Sequence, residues 1–137
     1  PSAIAAKLVS GARRVVASCG DGGFMMNSQE METAVRLGLD LTVVILNDNG
    51  LGMIKWEQAE KKFTDFGLSF GNPDFVAFAR SFGANGYRVS SAKELEPLLR
   101  ECLSAKGVNL IEVPVDYSEN EIVLDKELKE KICPVEG

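Results

Sequence analysis

Two short apolar runs stand out along the chain: Val15-Val16-Ala17, and Leu41 to Leu46, broken only by Thr42. Continuous runs of this length, bounded by turn residues, read as buried strands rather than amphipathic helices. The first gives a strand over 13–19, bounded by Gly20; the second gives one over 41–46. Elsewhere apolar residues recur every three or four positions. Ile4 and Leu8 with several alanines predict a helix over 2–10, stopped by Gly11. Met31, Ala34 and Val35 predict a helix over 28–37, with Ser28 as its N-cap. Residues 53–62 read as a further helix and 61–71 as a loop.

The second half continues in the same way. Asn72-Pro73 predicts a helix start with proline at its first position. Phe75, Phe78, Ala79 and Phe82 are its apolar stripe, and Gly83 closes it. A short strand over 87–89 follows. Ser91-Ala92-Lys93-Glu94 reads as a capping box before a helix with Leu95, Leu98, Leu99, Cys102 and Leu103 on one face. The last strand covers 110–115, with Pro114 at an end or an edge. Residues from Ser118 onward read as an acidic surface helix and tail. Strands alternating with helices predict an α/β fold, a parallel sheet with helices on both faces, as a single domain over 1–137.

Composition narrows the chemistry. The chain has 137 residues, 45% hydrophobic and 26% charged, which suits one soluble domain. Its formal net charge of -5 argues against a nucleic-acid partner, which favours a basic face. No apolar run is long enough to span a membrane, and no secretory leader opens the chain, so a cytoplasmic location is expected. Cys19, Cys102 and Cys133 form no CxxC spacing and are expected to be reduced thiols. The four methionines are expected in the core, with Met53 alone near a ligand. The most restrictive feature is the absence of histidine. It excludes a histidine-based nucleophile system within this chain and a histidine-bound metal. Any metal here is held by oxygen, which suits Mg²⁺ or Ca²⁺.

Two turns are placed to supply that oxygen. Gly20-Asp21-Gly22-Gly23 follows the first strand, and Asn47-Asp48-Asn49-Gly50-Leu51-Gly52 follows the second. In an open parallel sheet both lie at the carboxyl ends of their strands, where ligands bind. Asp21 and Asp48 offer two carboxylates. The amides of Gly22 and Gly23 lead toward a helix, and those of Gly50, Leu51 and Gly52 precede another; N–H groups so placed attract phosphate. The pattern predicts a metal-bridged diphosphate clamp.

The spacing is specific, with 24 residues between Gly22 and Asn47. It resembles the signature of thiamine-diphosphate enzymes, in which GDG is followed after a similar interval by NN or a close variant. Gly20 through Met26, Gln29 through Ala34, and Asn47 through Met53 are similar to acetolactate synthases and related 2-oxo-acid decarboxylases. So are Pro1 to Lys7, Phe70 to Phe75, Ser81 to Ala84, and Val113 to Tyr117, most of all to the catabolic, flavin-independent acetolactate synthases.

The resemblance implies a thiamine-diphosphate-binding fold lacking its N-terminal segment, within a larger multi-domain enzyme. It implies thiamine diphosphate and Mg²⁺ as cofactors. The metal ligands it implies are Asp21, Asp48 and the carbonyl of Gly50. Gly20, Asp21, Gly22, Gly23, Asp48, Gly50, Leu51, Gly52 and Met53 are the cofactor-binding positions. Pyruvate is the implied substrate. The pyrimidine-binding domain of another subunit is the implied partner, in a homo-oligomer, and the chain alone is expected to be inactive, with no catalytic residue of its own. Other 2-oxo-acid decarboxylases or carboligases of the family remain alternatives, as does a non-enzymatic nucleotide- or metal-binding module. Trp56 sits one position early relative to the tryptophan of biosynthetic relatives, so its role is left open.

Overall fold

A computed structural model of the protein describes residues 1–117. Cys133 and the acidic tail expected from Ser118 lie outside the described residues. The elements run α1 (Ser2–Ser10), β1 (Val16–Gly20), α2 (Asp21–Met25), α3 (Glu30–Arg36), β2 (Leu41–Asn47), α4 (Gly52–Glu60), α5 (Phe75–Ser81), β3 (Asn85–Arg88), α6 (Ala92–Ser104) and β4 (Val108–Pro114). The four strands form one sheet in the order β1-β2-β4-β3, and every pairing is parallel.

Adjacent residues of β4 point to opposite faces, and the core divides accordingly. Leu110 packs with Val43, Ile45, Met31, Phe75 and Ala79. Ile111, its neighbour, packs with Val89, Cys102 and the leucines of α6. Helices therefore cover both faces, as the mostly apolar run of β2 requires: Leu41 to Ile45 are all buried. At the amino ends of the strands, Asp40 accepts the Gly107 N–H at 2.8 Å and pairs with Lys106 at 3.0 Å.

Several local expectations change. β1 is not a buried strand: Val16, Ser18 and Gly20 are exposed, because β1 is an edge strand with no outer neighbour among the described residues. Ser28 caps nothing, because the backbone is already helical at Gln29. Pro73 is not the first helical residue. Asp74 is the cap of α5, and its Oδ1 accepts the N–H groups of Val76 and Ala77 at 2.9 and 3.0 Å. Those two hydrogen bonds hold the Asp74 carboxyl below its ordinary range. The capping box is half formed. Glu94 accepts the Ser90 N–H, but the Ser91 hydroxyl donates to Glu94 rather than capping the helix. Met31 is core, whereas Met25, Met26 and Met53 are exposed. Met25 and Met26 lie where the chain turns from α2 toward α3, and Met53 lies on α4, a helix with no buried residue.

Candidate functional site

In a parallel sheet all strands end on the same side, so Gly20, Asn47, Arg88 and Pro114 mark one rim. Asp21 follows Gly20 directly and opens α2. The expected tight turn is thus the first turn of a helix, and Asp21 is carried inward until only 1% of its surface is exposed. Asp48 follows β2 on a turn stabilised by its own side chains. Asn47 Oδ1 accepts the Asn49 N–H at 3.0 Å, and Asp48 Oδ1 accepts the Gly50 N–H at 3.2 Å. Asn49 sits at φ 57, a left-handed conformation that asparagine tolerates better than most residues.

These two turns, 27 residues apart in the chain, bring the Asp21 and Asp48 carboxyls within hydrogen-bonding reach. Asp48 is pushed above the ordinary carboxylate range, first by burial, then by the charge of Asp21 and the hydrogen bond between the two. Tyr117 joins from beyond β4. Burial raises its phenol, and its hydrogen bond to Asp48 and that carboxylate's charge raise it further.

The glycines shape the space around the pair. A Cβ on Gly22 would meet Leu51 Cδ2 at 2.9 Å and Phe70 Cζ at 3.1 Å. One on Gly50 would meet the Leu68 carbonyl oxygen at 2.9 Å, where Gly50 bridges to Ser69. One on Gly52 would run into Asp48 Oδ2 and approach Tyr117 Cε2 at 2.9 Å. Gly23 has open space around it, and Met53 is 63% exposed. Two of the three amides expected to face a ligand in the second turn are already used: Gly50 N–H by Asp48, and Leu51 N–H by the Leu68 carbonyl at 2.8 Å. Substituting Gly52 with alanine is expected to displace the Asp48 carboxylate and weaken cation binding by about 10-fold or more, the range seen when a ligand's support is disturbed. Calorimetric titration of the divalent cation with diphosphate checks this.

Sequence reasoning missed a polar chain that ties the rim together. Asn72, just ahead of the Asp74 cap, donates from Nδ2 to Asp21 Oδ2 at 2.5 Å and to Asn47 Oδ1 at 2.9 Å. Asn47 Nδ2 donates to Glu112 Oε1 at 2.7 Å. Glu112, 1% exposed on β4, takes a two-pronged pair from Arg88 on β3, Nε to Oε2 at 2.8 Å and Nη2 to Oε1 at 2.9 Å. Arg88 and Glu112 are cross-strand partners in register. A cleft of about 480 Å³ lies over this chain, lined by Asn47, Asn49, Asn72, Asp74, Arg88 and Glu112 among others. The only signal that could have found Glu112 was a lone acidic residue inside an apolar strand, at Ile111-Glu112-Val113.

Among the described residues, no three His, Cys, Asp or Glu side chains converge. A cation here would draw on two carboxylates and complete its shell with backbone, phosphate or water oxygens. That suits Mg²⁺, which keeps waters and takes one or two carboxylates plus phosphates. Two crowded carboxyls, one of them resisting ionisation, would be relieved by a bound dication. The residues therefore fit a metal-bound diphosphate.

Fold and rim together define a parallel α/β domain with an acidic, glycine-lined site at the carboxyl ends of β1 and β2. Residues 1–113 match the family model described as thiamine pyrophosphate enzyme, C-terminal TPP binding domain, and the chain belongs to that family. Thiamine diphosphate is the cofactor that family binds.

Relatives agree. The chain is 43% identical to an acetolactate synthase of Bacillus subtilis over 88% of its length. It is 42% identical to a catabolic acetolactate synthase of Raoultella terrigena over 90%. It spans about a fifth of each of those proteins, 21% and 22%. Its fold matches a thiamine diphosphate-dependent 4-hydroxybenzoylformate decarboxylase of Rhodococcus jostii at a TM-score of 0.79 and 27% identity. That match covers 87% of this chain and 23% of the other. Among the described residues, no helix is long and apolar enough to cross a membrane.

Proposed function

We propose that this chain is a single domain, residues 1–137, of a larger multi-domain acetolactate synthase. In this reading it holds the diphosphate of thiamine diphosphate through Mg²⁺. Asp21, Asp48 and the Gly50 carbonyl supply the metal ligands. Gly20, Gly22, Gly23, Leu51, Gly52 and Met53 line the cofactor. The observation that carries this is the meeting of half-buried Asp48 with buried Asp21, on turns where a Cβ at position 50 would meet the Leu68 backbone and one at 22 or 52 would press on the Leu51, Phe70 or Asp48 side chains.

When bound, thiamine diphosphate supplies the electron sink for carbanion chemistry at a 2-oxo acid. The residues of this chain bind and orient it. In the whole enzyme the substrate is pyruvate, two molecules giving 2-acetolactate and one CO₂. The pyrimidine half of the cofactor is held by a domain of a partner subunit in a homo-oligomer, and this chain alone turns nothing over. The likeness to the 4-hydroxybenzoylformate decarboxylase favours a second reading, simple 2-oxo-acid decarboxylation on the same site.

Calorimetric titration of thiamine diphosphate into the chain tests the site. Binding with Mg²⁺ that vanishes with EDTA is the expected result. Binding indifferent to EDTA, or none to a folded chain, refutes it. Assay of the whole protein with pyruvate separates acetolactate from aldehyde as the product.

A further inference from the structure

We propose that Asn72 is a positioning residue for the cation site, holding Asp21 to one available carboxylate oxygen and so favouring a small cation over a large one. The inference rests on the metal-bridged reading above and adds a residue that belongs to neither glycine turn.

Asn72 lies 51 positions from Asp21 and 25 from Asn47, yet its amide reaches both. Three oxygens surround its Nδ2: Asp21 Oδ2 at 2.5 Å, Asn47 Oδ1 at 2.9 Å and Asn49 Oδ1 at 3.4 Å. Only a donor can sit at that point, so the amide has one workable orientation. The cost is visible at its other end, where Asn72 Oδ1 is buried without a hydrogen-bond partner among the described residues. A buried amide oxygen left unpaired is unusual, and here it is the consequence of aiming the NH₂ group at Asp21.

Asn72 is also well anchored. Pro73 restricts its backbone toward extended conformations. Asp74, two residues on, caps α5, and Phe75 behind it is fully buried.

A carboxylate whose Oδ2 already accepts a short hydrogen bond offers Oδ1 to a metal and is disfavoured from gripping it with both oxygens. Mg²⁺ requires near-octahedral, single-oxygen ligation, whereas Ca²⁺ is larger and readily takes both oxygens of a carboxylate. Hydrogen bonds of this kind to a ligand are worth 10- to 100-fold in metal affinity, roughly. Asn72 thus acts on cation choice through Asp21 rather than by touching the ion. By also binding Asn47 and Asn49 it fixes the distance between the turn of Asp48 and the buried Asp21.

The test is calorimetric titration of thiamine diphosphate into the chain, in Mg²⁺ and separately in Ca²⁺, for the wild type, Asn72→Ala and Asn72→Asp. Asn72→Ala is expected to weaken Mg²⁺-supported binding about 10-fold or more and Ca²⁺-supported binding by less than about 3-fold. Asn72→Asp, nearly isosteric but without the donor, is expected to move the balance further toward Ca²⁺. Circular dichroism checks that each variant is folded, and if Asn72→Ala is not, Asn72→Asp decides. Equal losses with both cations, or unchanged affinity with both, overturn the positioning role while leaving the metal site standing. A wild-type chain that binds with neither cation overturns the site and this role together.

Discussion

Asp21→Asn is expected to abolish metal-dependent binding of thiamine diphosphate while raising the melting temperature of the metal-free chain. The two effects share one cause. Asp21 is almost wholly buried, and its charge is one of the forces pushing the Asp48 carboxyl upward, second only to burial. Without a cation, folding brings together two carboxylates that repel. Asparagine keeps an oxygen for the Asn72 amide and removes the repulsion.

The sign follows from linkage. Asp48 titrates higher in the folded chain than in the unfolded one, so between the two values the folded state binds more protons. Stability of the metal-free chain is therefore present at acid pH and lost as pH rises from the ordinary carboxylate range through the raised value. In Asp21→Asn that decline is expected to be shallower. In wild type, Mg²⁺ is expected to offset it by binding only the folded state. Melting curves across pH, with EDTA and with Mg²⁺, read all three. Binding is expected to fall by more than about 100-fold, beyond the loss typical of residues that merely support a ligand. Cofactor affinity in Asp21→Asn equal to wild type would remove Asp21 from the site.

The second large effect concerns a residue outside both glycine turns. Gly86→Ala places a Cβ 2.6 Å from the Val76 carbonyl oxygen, 2.9 Å from its Cα and 3.1 Å from its carbonyl carbon. All three are backbone atoms of α5, so no side chain can swing aside. The strand and helix must separate. The expected cost is about 1–3 kcal/mol, the usual range for overpacking, toward its upper end. A lower urea midpoint with an unchanged slope would report it. α5 also carries the Asp74 cap and, two residues earlier, Asn72. Cofactor affinity is therefore expected to drop together with stability. A Gly86→Ala chain with wild-type midpoint would show that α5 and β3 are not held this closely in solution.

Not all of this was legible in the chain. Asp21 and Asp48 could be read because each directly follows an apolar strand run and is flanked by glycine or asparagine, so local sequence suffices to put both at strand ends. The division of Leu110 and Ile111 between two core layers follows from strand alternation in the same way. Gly86 gave no local sign. Its φ is unremarkable, and its requirement is for space against a helix that packs on it from outside its own strand. Asn72 read as the start of a helix beside Pro73. Its real task depends on Asp21 and Asn47, distant residues that no short-range pattern links to it. The pairing of exposed Arg88 with buried Glu112 had no local sign beyond the lone acid in β4, because the two lie on different strands. The exposure of Met25, Met26 and Met53 escaped notice because hydrophobicity names what can be buried, not what is covered.

The sequence by itself therefore determined the parallel α/β class, the two carboxylates and the glycine turns, because periodicity, turn chemistry and spacing act over a few residues at a time. Tertiary structure alone decided that Asp21 is buried against Asp48, that β1 is an edge strand, and that Asn72 closes the rim. Those properties are set by which remote segments meet, and distances between atoms in space, not positions along the chain, govern both charge repulsion and hydrogen bonding.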